Sequence, residues 1–117
     1  MSIKSTTIKL AANNNAAVIS ATPVTVVGIY AYKATAGAMY VKLYNKATTP
    51  APASEAALLV HVQAVPTLTS ACNILTDDGI QFKSGCGIAI TAGATLGDNT
   101  ATAANDGIVT ISYIDLK

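Results

Sequence analysis

Two stretches of the 117-residue sequence decide the fold class: VTVVGIYAY at residues 24–32 and MYVKLYN at residues 39–45. Both are rich in the β-branched and aromatic residues that favour strands. In the second stretch Met39, Val41 and Leu43 alternate with other residues, as in a strand that has one face on a core. A short segment that contains a glycine separates the two stretches, and we therefore predict that they form a β-hairpin.

Further strand-like runs lie on both sides of this pair, separated by turn residues. Residues 1–10 predict an N-terminal arm or an edge strand, and residues 92–106 predict a long loop. In the last run, 107–116, the apolar residues do not segregate to one face, which is typical of a strand covered on both faces. Shorter strands are predicted at 16–20, 58–65, 80–82 and 86–91, and a bulge is predicted near Gly28. A helix that starts at 54–59 is the alternative to the beginning of the second of these strands. We also predict a turn of helix within 67–74 and a turn at 76–79.

About seven or eight strands, punctuated by turns and without a segment of helical period, predict an all-β protein. We expect an antiparallel two-sheet β-sandwich of the jelly-roll or immunoglobulin type, with the jelly roll preferred. The length is that of one domain, so we predict a single β-sandwich domain over residues 1–117.

The composition is poor in charge: only 11% of residues are charged and 51% are apolar. Average globular domains carry roughly 25% charged residues. Two interpretations remain open. Either much of the surface is covered by copies of the chain or by a partner, or a surface rich in Thr, Ser and Asn keeps the protein soluble without charge.

Several classes of function are disfavoured by the residues that are missing. The sequence contains no arginine, and its seven lysines are scattered, whereas nucleic-acid binding uses clustered basic residues. No apolar run approaches the length of a transmembrane helix, and the N-terminus does not resemble a signal peptide. We therefore expect no nucleic-acid partner, no membrane partner, and synthesis in the cytoplasm.

No catalytic constellation is visible. His61 is the only histidine, and we place it on the polar side of its strand, where it has no neighbouring nucleophile. Asp77 and Asp78 are interpreted as turn residues rather than as paired catalytic acids. We predict that the protein is not an enzyme and uses no cofactor. Asp98-Asn99-Thr100 and Asn105-Asp106 are oxygen-rich and allow a calcium site, although turn chemistry is the ordinary explanation.

The two cysteines, Cys72 and Cys86, fit no zinc-binding spacing. We predict that Cys86 is a buried free thiol, and a single disulfide between the two cysteines is the alternative.

Four tyrosines are concentrated in the predicted hairpin. Tyrosine is favoured at interfaces because its ring is apolar and its hydroxyl is polar. Ordinary cross-strand packing and the stacking of sugars are alternatives. Together with polar residues of the long loop they form the set of interface candidates: Tyr30, Tyr32, Tyr40, Tyr44, Asp98, Asn99 and Asn105.

The run from Gly28 to Ala34 and the run from Met39 to Ala47 resemble small structural proteins of tailed bacteriophages. The later run from Gly87 to Thr91, followed by residues 98–106 and by Gly107-Ile108-Val109, is similar to the C-terminal part of the same group. The resemblance covers roughly residues 24–47 and 86–113 and contains no active-site motif. It implies a jelly-roll capsid decoration or cement protein that binds the outer capsid surface as an oligomer.

The function that the resemblance implies is stabilisation of contacts between subunits of the major capsid protein. The chain would then be a dimer or trimer on the virion surface, made in the cytoplasm of the host. The alternative is a carbohydrate- or receptor-binding β-sandwich module of a fibre or tail. The lack of tryptophan disfavours sugar stacking.

Overall fold

The structure, a computed structural model, describes residues 2–66, 70–74 and 79–116, and for residues 70–74 it describes the backbone only. Almost all of its regular structure is β. One short 3₁₀ helix, Ala56–Leu58, precedes the fifth strand. In chain order the strands are β1 Lys4–Lys9, β2 Ala17–Ser20, β3 Val24–Lys33, β4 Met39–Asn45, β5 Leu59–Val65, β6 Ser70–Ile74, β7 Ile80–Phe82, β8 Cys86–Thr91 and β9 Gly107–Asp115.

The strands form two antiparallel sheets that pack face to face. The five-stranded sheet has the order β1-β9-β3-β6, with β7 pairing beside β6 on the same side of β3. The four-stranded sheet has the order β2-β8-β4-β5. Early strands pair with late ones in a nested way: β1 with β9, β2 with β8, β3 with β6 and β7, and β4 with β5. This nesting is that of a long hairpin wrapped into two sheets, and the predicted jelly-roll sandwich is confirmed.

The core lies between the two sheets and consists of small, branched side chains. The inward positions of β4 alternate as predicted, with Met39, Val41 and Leu43 fully buried. Phe82 is the only phenylalanine and is also fully buried. The other members of the core cluster are Leu10, Ile19, Val24, Val26, Ile29, Ala31, Val65, Cys86, Ile88, Ile90, Val109 and Ile111.

The predicted hairpin of 24–32 with 39–45 is wrong. Both stretches are strands, but β3 belongs to the five-stranded sheet and β4 to the four-stranded sheet. The segment between them crosses from one sheet to the other. This arrangement lets the apolar faces of both strands, for example Ile29 on β3 and Val41 on β4, lie in one core. If the two strands had paired side by side in one sheet, their apolar faces would have lain on the same side of it, and other elements would have been needed to cover that side.

Two smaller predictions are also corrected. Residues 70–74 form strand β6, not a turn of helix, because they pair with β3. Residues 67–69 and 75–78, which include Asp77 and Asp78, lie outside the described residues. Strand β9 is covered on one face only: Val109 is buried, whereas Ile108 is 37% exposed. The predicted bulge near Gly28 is confirmed by a register shift between Val26 and Gly28 in the pairing of β3 with β9.

Candidate functional site

The outer face of the five-stranded sheet is the most open regular surface among the described residues. Strands β1, β9 and β3 lie side by side in it, and their register forms three rows across the sheet. We call this surface the tyrosine face. Its rows are Lys9, Ile108 and Tyr32; Thr7, Thr110 and Tyr30; and Ser5, Ser112 and Gly28.

The tyrosine face presents aromatic rings beside hydroxyl groups. Tyr30 is 41% exposed and Tyr32 is 43% exposed, and they share a face because they are two residues apart on one strand. The hydroxyls of Thr7 and Thr110 lie 2.9 Å apart and form a hydrogen bond across the strands. Lys9 is the only charged residue in the three rows. The face can therefore be covered by a partner with little loss of charge solvation.

The outer face of the four-stranded sheet is different, because loops cover it. A Cβ atom on Gly87 would lie 2.6 Å from Cγ of Pro50, so the segment after β4 lies directly on β8. Tyr44 is fully buried in this region. Its hydroxyl has no hydrogen-bond partner, and burial raises the pKa of the phenol. Tyr44 is thus removed from the set of surface candidates, and Tyr40 on the same strand is half-buried.

Lys42 lies between these two tyrosines and is also fully buried. Its Nζ donates hydrogen bonds to the carbonyl oxygens of Thr95, at 2.9 Å, and of Asp98, at 3.1 Å. Burial lowers the pKa of the Lys42 ammonium group. The side chain therefore anchors the first half of the long loop to the sheet. The sequence did not indicate that Lys42 is buried, because it alternates with the apolar residues Val41 and Leu43 as a solvent-facing residue would.

The Asp98 carboxylate is used inside its own loop. It accepts hydrogen bonds from the Thr100 hydroxyl at 2.8 Å, the Thr100 amide at 3.0 Å and the Gly93 amide at 3.0 Å. These bonds, first the one from the hydroxyl, lower the pKa of the carboxyl group. The turn chemistry predicted for this segment accounts for the aspartate. Within the described ranges no group of three or more His, Cys, Asp or Glu residues could hold a metal ion.

The two asparagines of the long loop serve it in different ways. The Oδ1 atom of Asn99 accepts a hydrogen bond from Nδ2 of Asn14 at 2.6 Å, on the surface. Asn105 has a φ of 59°, in the left-handed region that asparagine tolerates, and its amide donates to the carbonyl of Leu10. Both side chains remain exposed, and they lie on the long loop rather than on the tyrosine face.

A cavity of about 240 Å³ opens at the end of the sandwich where the long loop meets the segment after β3. Its polar lining is a buried ion pair between Lys33 and Asp106. The Thr35 hydroxyl donates to the same carboxylate at 2.6 Å. The hydrogen bond from the Lys33 ammonium, and then the one from Thr35, hold the pKa of the Asp106 carboxyl below its ordinary value. The charged groups of this network are paired with each other. We therefore interpret the Lys33–Asp106 pair as a structural clamp at this end of the sandwich and not as a binding site.

Carboxylates throughout the described chain are engaged in this way. Asp115 pairs with Lys4, and Glu55 pairs with Lys46. With Asp98 and Asp106 already accounted for, every described carboxylate has a partner within the chain. Among the described lysines, Lys9 and Lys83 form neither an ion pair nor a hydrogen bond through the ammonium group. The exposed surface is therefore even poorer in free charge than the composition indicates.

His61 is placed differently from the prediction. It pairs with Leu43 across β5 and β4, and paired residues of antiparallel strands share a face, so the ring lies on the core side of the sheet. Its Nε2 atom is buried and has no hydrogen-bond partner. The alternation of Val60 and Val62 gave the opposite prediction because these valines were assumed to face the core, whereas Val62 pairs with Lys42 on the outer face of the sheet.

The prediction for Cys86 is confirmed. The thiol is free and buried, and burial raises its pKa to about 12. Such a thiol is inert toward most electrophiles at neutral pH, since the thiolate is the reactive form.

No protein-family model matches the chain, and no curated protein sequence matches it. In the described part of the chain no helix has the length and apolar character needed to cross a membrane. The tyrosine face is the candidate site because it leaves Tyr30, Tyr32 and Ile108 exposed on one sheet surface.

Proposed function

We propose that the protein is a structural subunit that binds a larger protein shell through its tyrosine face. The observation that carries the proposal is the exposure of Tyr30, Tyr32 and Ile108 on a regular sheet surface with a single charged residue. Centres of protein interfaces are depleted in charge and enriched in aromatic residues, and tyrosines supply much of the binding energy there.

The shell that we propose is the head of a tailed bacteriophage, and the role is that of a capsid decoration or cement protein. The resemblance of residues 24–47 and 86–113 to small phage structural proteins supports this choice. Each subunit would contact the major capsid protein at subunit boundaries on the outer surface. Many weak contacts, repeated over the shell and linked by oligomerisation, would add up to stable attachment.

The experiment is a binding assay on undecorated phage shells with the purified full chain. The test variant carries Tyr30→Ser and Tyr32→Ser together, since both side chains project from the surface and their loss leaves the core intact. The matched control is Tyr40→Ser, which changes a tyrosine on the other sheet. We expect the wild type and the control to sediment with shells and the double variant to lose most of its binding. Absence of wild-type binding would reject the proposal.

A count of copies per particle by quantitative mass spectrometry adds an independent test. A decoration protein is present in stoichiometric ratio to the major capsid protein. A few copies per particle would move the chain to a tail or fibre, and complete absence from purified virions would exclude a role in the particle.

A second candidate function uses the same surface. Two exposed tyrosines beside the Thr7 and Thr110 hydroxyls also form a platform on which a sugar ring can stack. A glycan array separates the two proposals: specific glycan binding that the Tyr30→Ser, Tyr32→Ser variant abolishes would favour a receptor-binding module, and an array without hits would favour the shell.

A further inference from the structure

Strand β1, Lys4–Lys9, forms one edge of the five-stranded sheet, and within the described ranges it pairs only with β9. The edge of a sheet offers unpaired amide and carbonyl groups to which a strand of another protein can bind. The register of β1 with β9 is regular over all six residues, and the strand contains no proline. The edge is therefore long and regular enough to accept a further strand.

The backbone groups that point to this edge belong to Ser5, Thr7 and Lys9. In an antiparallel pair of strands, only every second pair of opposite residues exchanges hydrogen bonds. The register of β1 with β9 continues to Leu10 and Gly107, where the Leu10 amide donates to the Gly107 carbonyl at 3.0 Å. The even-numbered residues of β1 therefore bond to β9, and the odd-numbered residues direct their amides and carbonyls away from it.

The pairing of β9 with β3, its other neighbour, gives the same result. The Ala34 amide donates to the Asp106 carbonyl at 2.8 Å, in continuation of the register between these two strands. By the same alternation, Ile108 and Thr110 use their backbone groups toward β3. These two residues lie opposite odd-numbered positions of β1, so the backbone of those positions has no partner in β9.

The residues that point their backbone to the edge also place their side chains on the tyrosine face. They are Ser5, Thr7 and Lys9, the first members of its three rows. Residues directly opposite each other in neighbouring strands share a face. A strand added to β1 would therefore widen the tyrosine face by one strand. Its hydroxyl or β-branched side chains could continue the rows in which the hydroxyls of Ser5 and Ser112 lie 3.4 Å apart and those of Thr7 and Thr110 lie 2.9 Å apart.

The charge of the edge selects the kind of strand that can bind. Lys9 is exposed, and its ammonium group has no ion pair or hydrogen bond among the described residues. An opposite charge directly across from it stabilises the pairing of two strands, and a like charge destabilises it. A second copy of the chain cannot supply that charge, because every described carboxylate already has a partner within its own chain. A lysine on an edge strand also discourages pairing between copies.

We propose that β1 accepts an extended, acidic segment of the partner protein as an additional antiparallel strand, with a carboxylate opposite Lys9. The inference rests on the proposed function in taking the shell protein as the source of this segment. The backbone hydrogen bonds would fix the direction of the partner chain, and the charge at Lys9 would fix its register. The exposed rings of Tyr30 and Tyr32, two strands away, would then contact the rest of the partner.

The first test uses nuclear magnetic resonance on the full chain and two blocked synthetic peptides. One has the sequence glutamate-valine-threonine-valine-threonine, so that its polar side chains can lie opposite Lys9, Thr7 and Ser5. The other has lysine in place of the glutamate. We expect the glutamate peptide to shift the three outward amides of β1 and to slow their hydrogen exchange. The lysine peptide should bind about fivefold more weakly at low salt, and the difference should become smaller as salt is added.

The second test uses variants of the edge. Thr7→Pro removes an amide that points away from β9, so it should block the added strand and leave the pairing with β9 in place. Thr7→Val keeps the amide and should weaken peptide binding far less. If circular dichroism shows that Thr7→Pro does not fold, Ser5→Pro takes its place, with Ser5→Ala as its comparison.

Charge reversal at the edge gives a readout that a change in stability would not produce. Lys9→Glu should exchange the preference, so that the variant binds the lysine peptide more tightly than the glutamate peptide. The matched control is Lys83→Glu, which reverses the other exposed lysine without an ion pair among the described residues and should keep the wild-type preference.

Four outcomes would overturn the inference: no effect of the glutamate peptide on β1 at millimolar concentration, equal binding of the two peptides, full binding by Thr7→Pro, or protection of the outward amides that grows with the concentration of the chain alone. The last result would assign the edge to a second copy. Peptide binding without affinity for undecorated shells would reject only the proposed function. Shell binding that Thr7→Pro and Lys9→Glu leave unchanged would reject only the inference.

Discussion

Replacement of Lys33 by Met tests the clamp at the end of the sandwich. The substitution keeps the length and apolar stem of the side chain but removes the charge that faces Asp106. Both side chains of this ion pair are only 6% exposed, so water cannot readily take the place of the missing ammonium group. The carboxylate keeps one hydrogen bond, from Thr35.

The expected loss follows from the burial of the pair. Breaking a buried ion pair by removing one partner costs about 3–5 kcal/mol of the free energy of unfolding. With an unfolding entropy of about 2.1 cal/mol/K per residue, a chain of this length loses about 4 °C of Tm per kcal/mol. Lys33→Met should therefore lower Tm by about 12–20 °C at neutral pH.

The effect should depend on pH in a defined direction. In the wild type the depressed pKa of Asp106 contributes stability that is present above the unfolded pKa, about 3.9, and is lost as pH falls through the lower folded value. In Lys33→Met the buried, unpaired carboxyl of Asp106 should have a raised pKa. As pH falls, it is therefore protonated before the wild-type carboxyl, and protonation removes the unfavourable buried charge. The difference in Tm between the wild type and Lys33→Met should be largest near pH 7 and should become smaller as pH falls toward 4.

Thermal denaturation followed by circular dichroism, from pH 7 to pH 3, measures both effects. The matched control is Lys4→Met, which removes an ammonium group from the solvent-exposed pair with Asp115 and should change Tm little. Equal Tm losses in the two variants, or a gap for Lys33→Met that stays constant with pH, would refute the reasoning.

Three other predictions concern single groups. Tyr44→Phe removes a buried hydroxyl without a partner, so the free energy of unfolding measured in urea should stay the same or rise by about 1 kcal/mol; a fall of that size would reveal a partner. Gly93→Ala places a Cβ atom into the Asp98 carboxyl and should lower Tm and speed hydrogen exchange in the loop, whereas Gly97→Ala, with its nearest neighbour 3.9 Å away, should do neither. With a thiol pKa of about 12, roughly one in ten thousand Cys86 side chains is a thiolate at pH 8. Peptide mass spectrometry should therefore find Cys86 unmodified by iodoacetamide until the protein is denatured. Rapid labelling of the native protein would contradict the burial of the thiol.

The distribution of charge connects the fold with the proposed function. The few acidic residues that the structure describes are used to fix loops and strand ends, as Asp98 fixes its own turn and Glu55 holds Lys46. The hydrogen bond from Lys46 lowers the pKa of the Glu55 carboxyl, which therefore stays ionised. What remains on the tyrosine face is aromatic and hydroxyl surface. Such a surface gives a partner little charge to desolvate and offers it two aromatic anchors.

The sequence by itself determined the class of the fold and most of the strands. Alternation places Met39, Val41 and Leu43 on one face wherever β4 lies, because side chains of a strand point alternately to its two faces. The same rule puts Tyr30 and Tyr32 together. Local patterns of this kind depend only on neighbouring residues, so the sequence is sufficient to predict them.

Only the tertiary structure decided which faces are covered. Alternation cannot tell whether Tyr30 and Tyr44 belong to one sheet or to two, and in the folded chain one is exposed and the other is fully buried. The pattern of β4 likewise predicts a solvent-facing position for Lys42. In the structure its ammonium group instead donates hydrogen bonds to carbonyl groups of a loop more than fifty positions later in the chain. Partners so distant in sequence are set by how the sheets wrap around each other, and this wrapping leaves the tyrosine face uncovered.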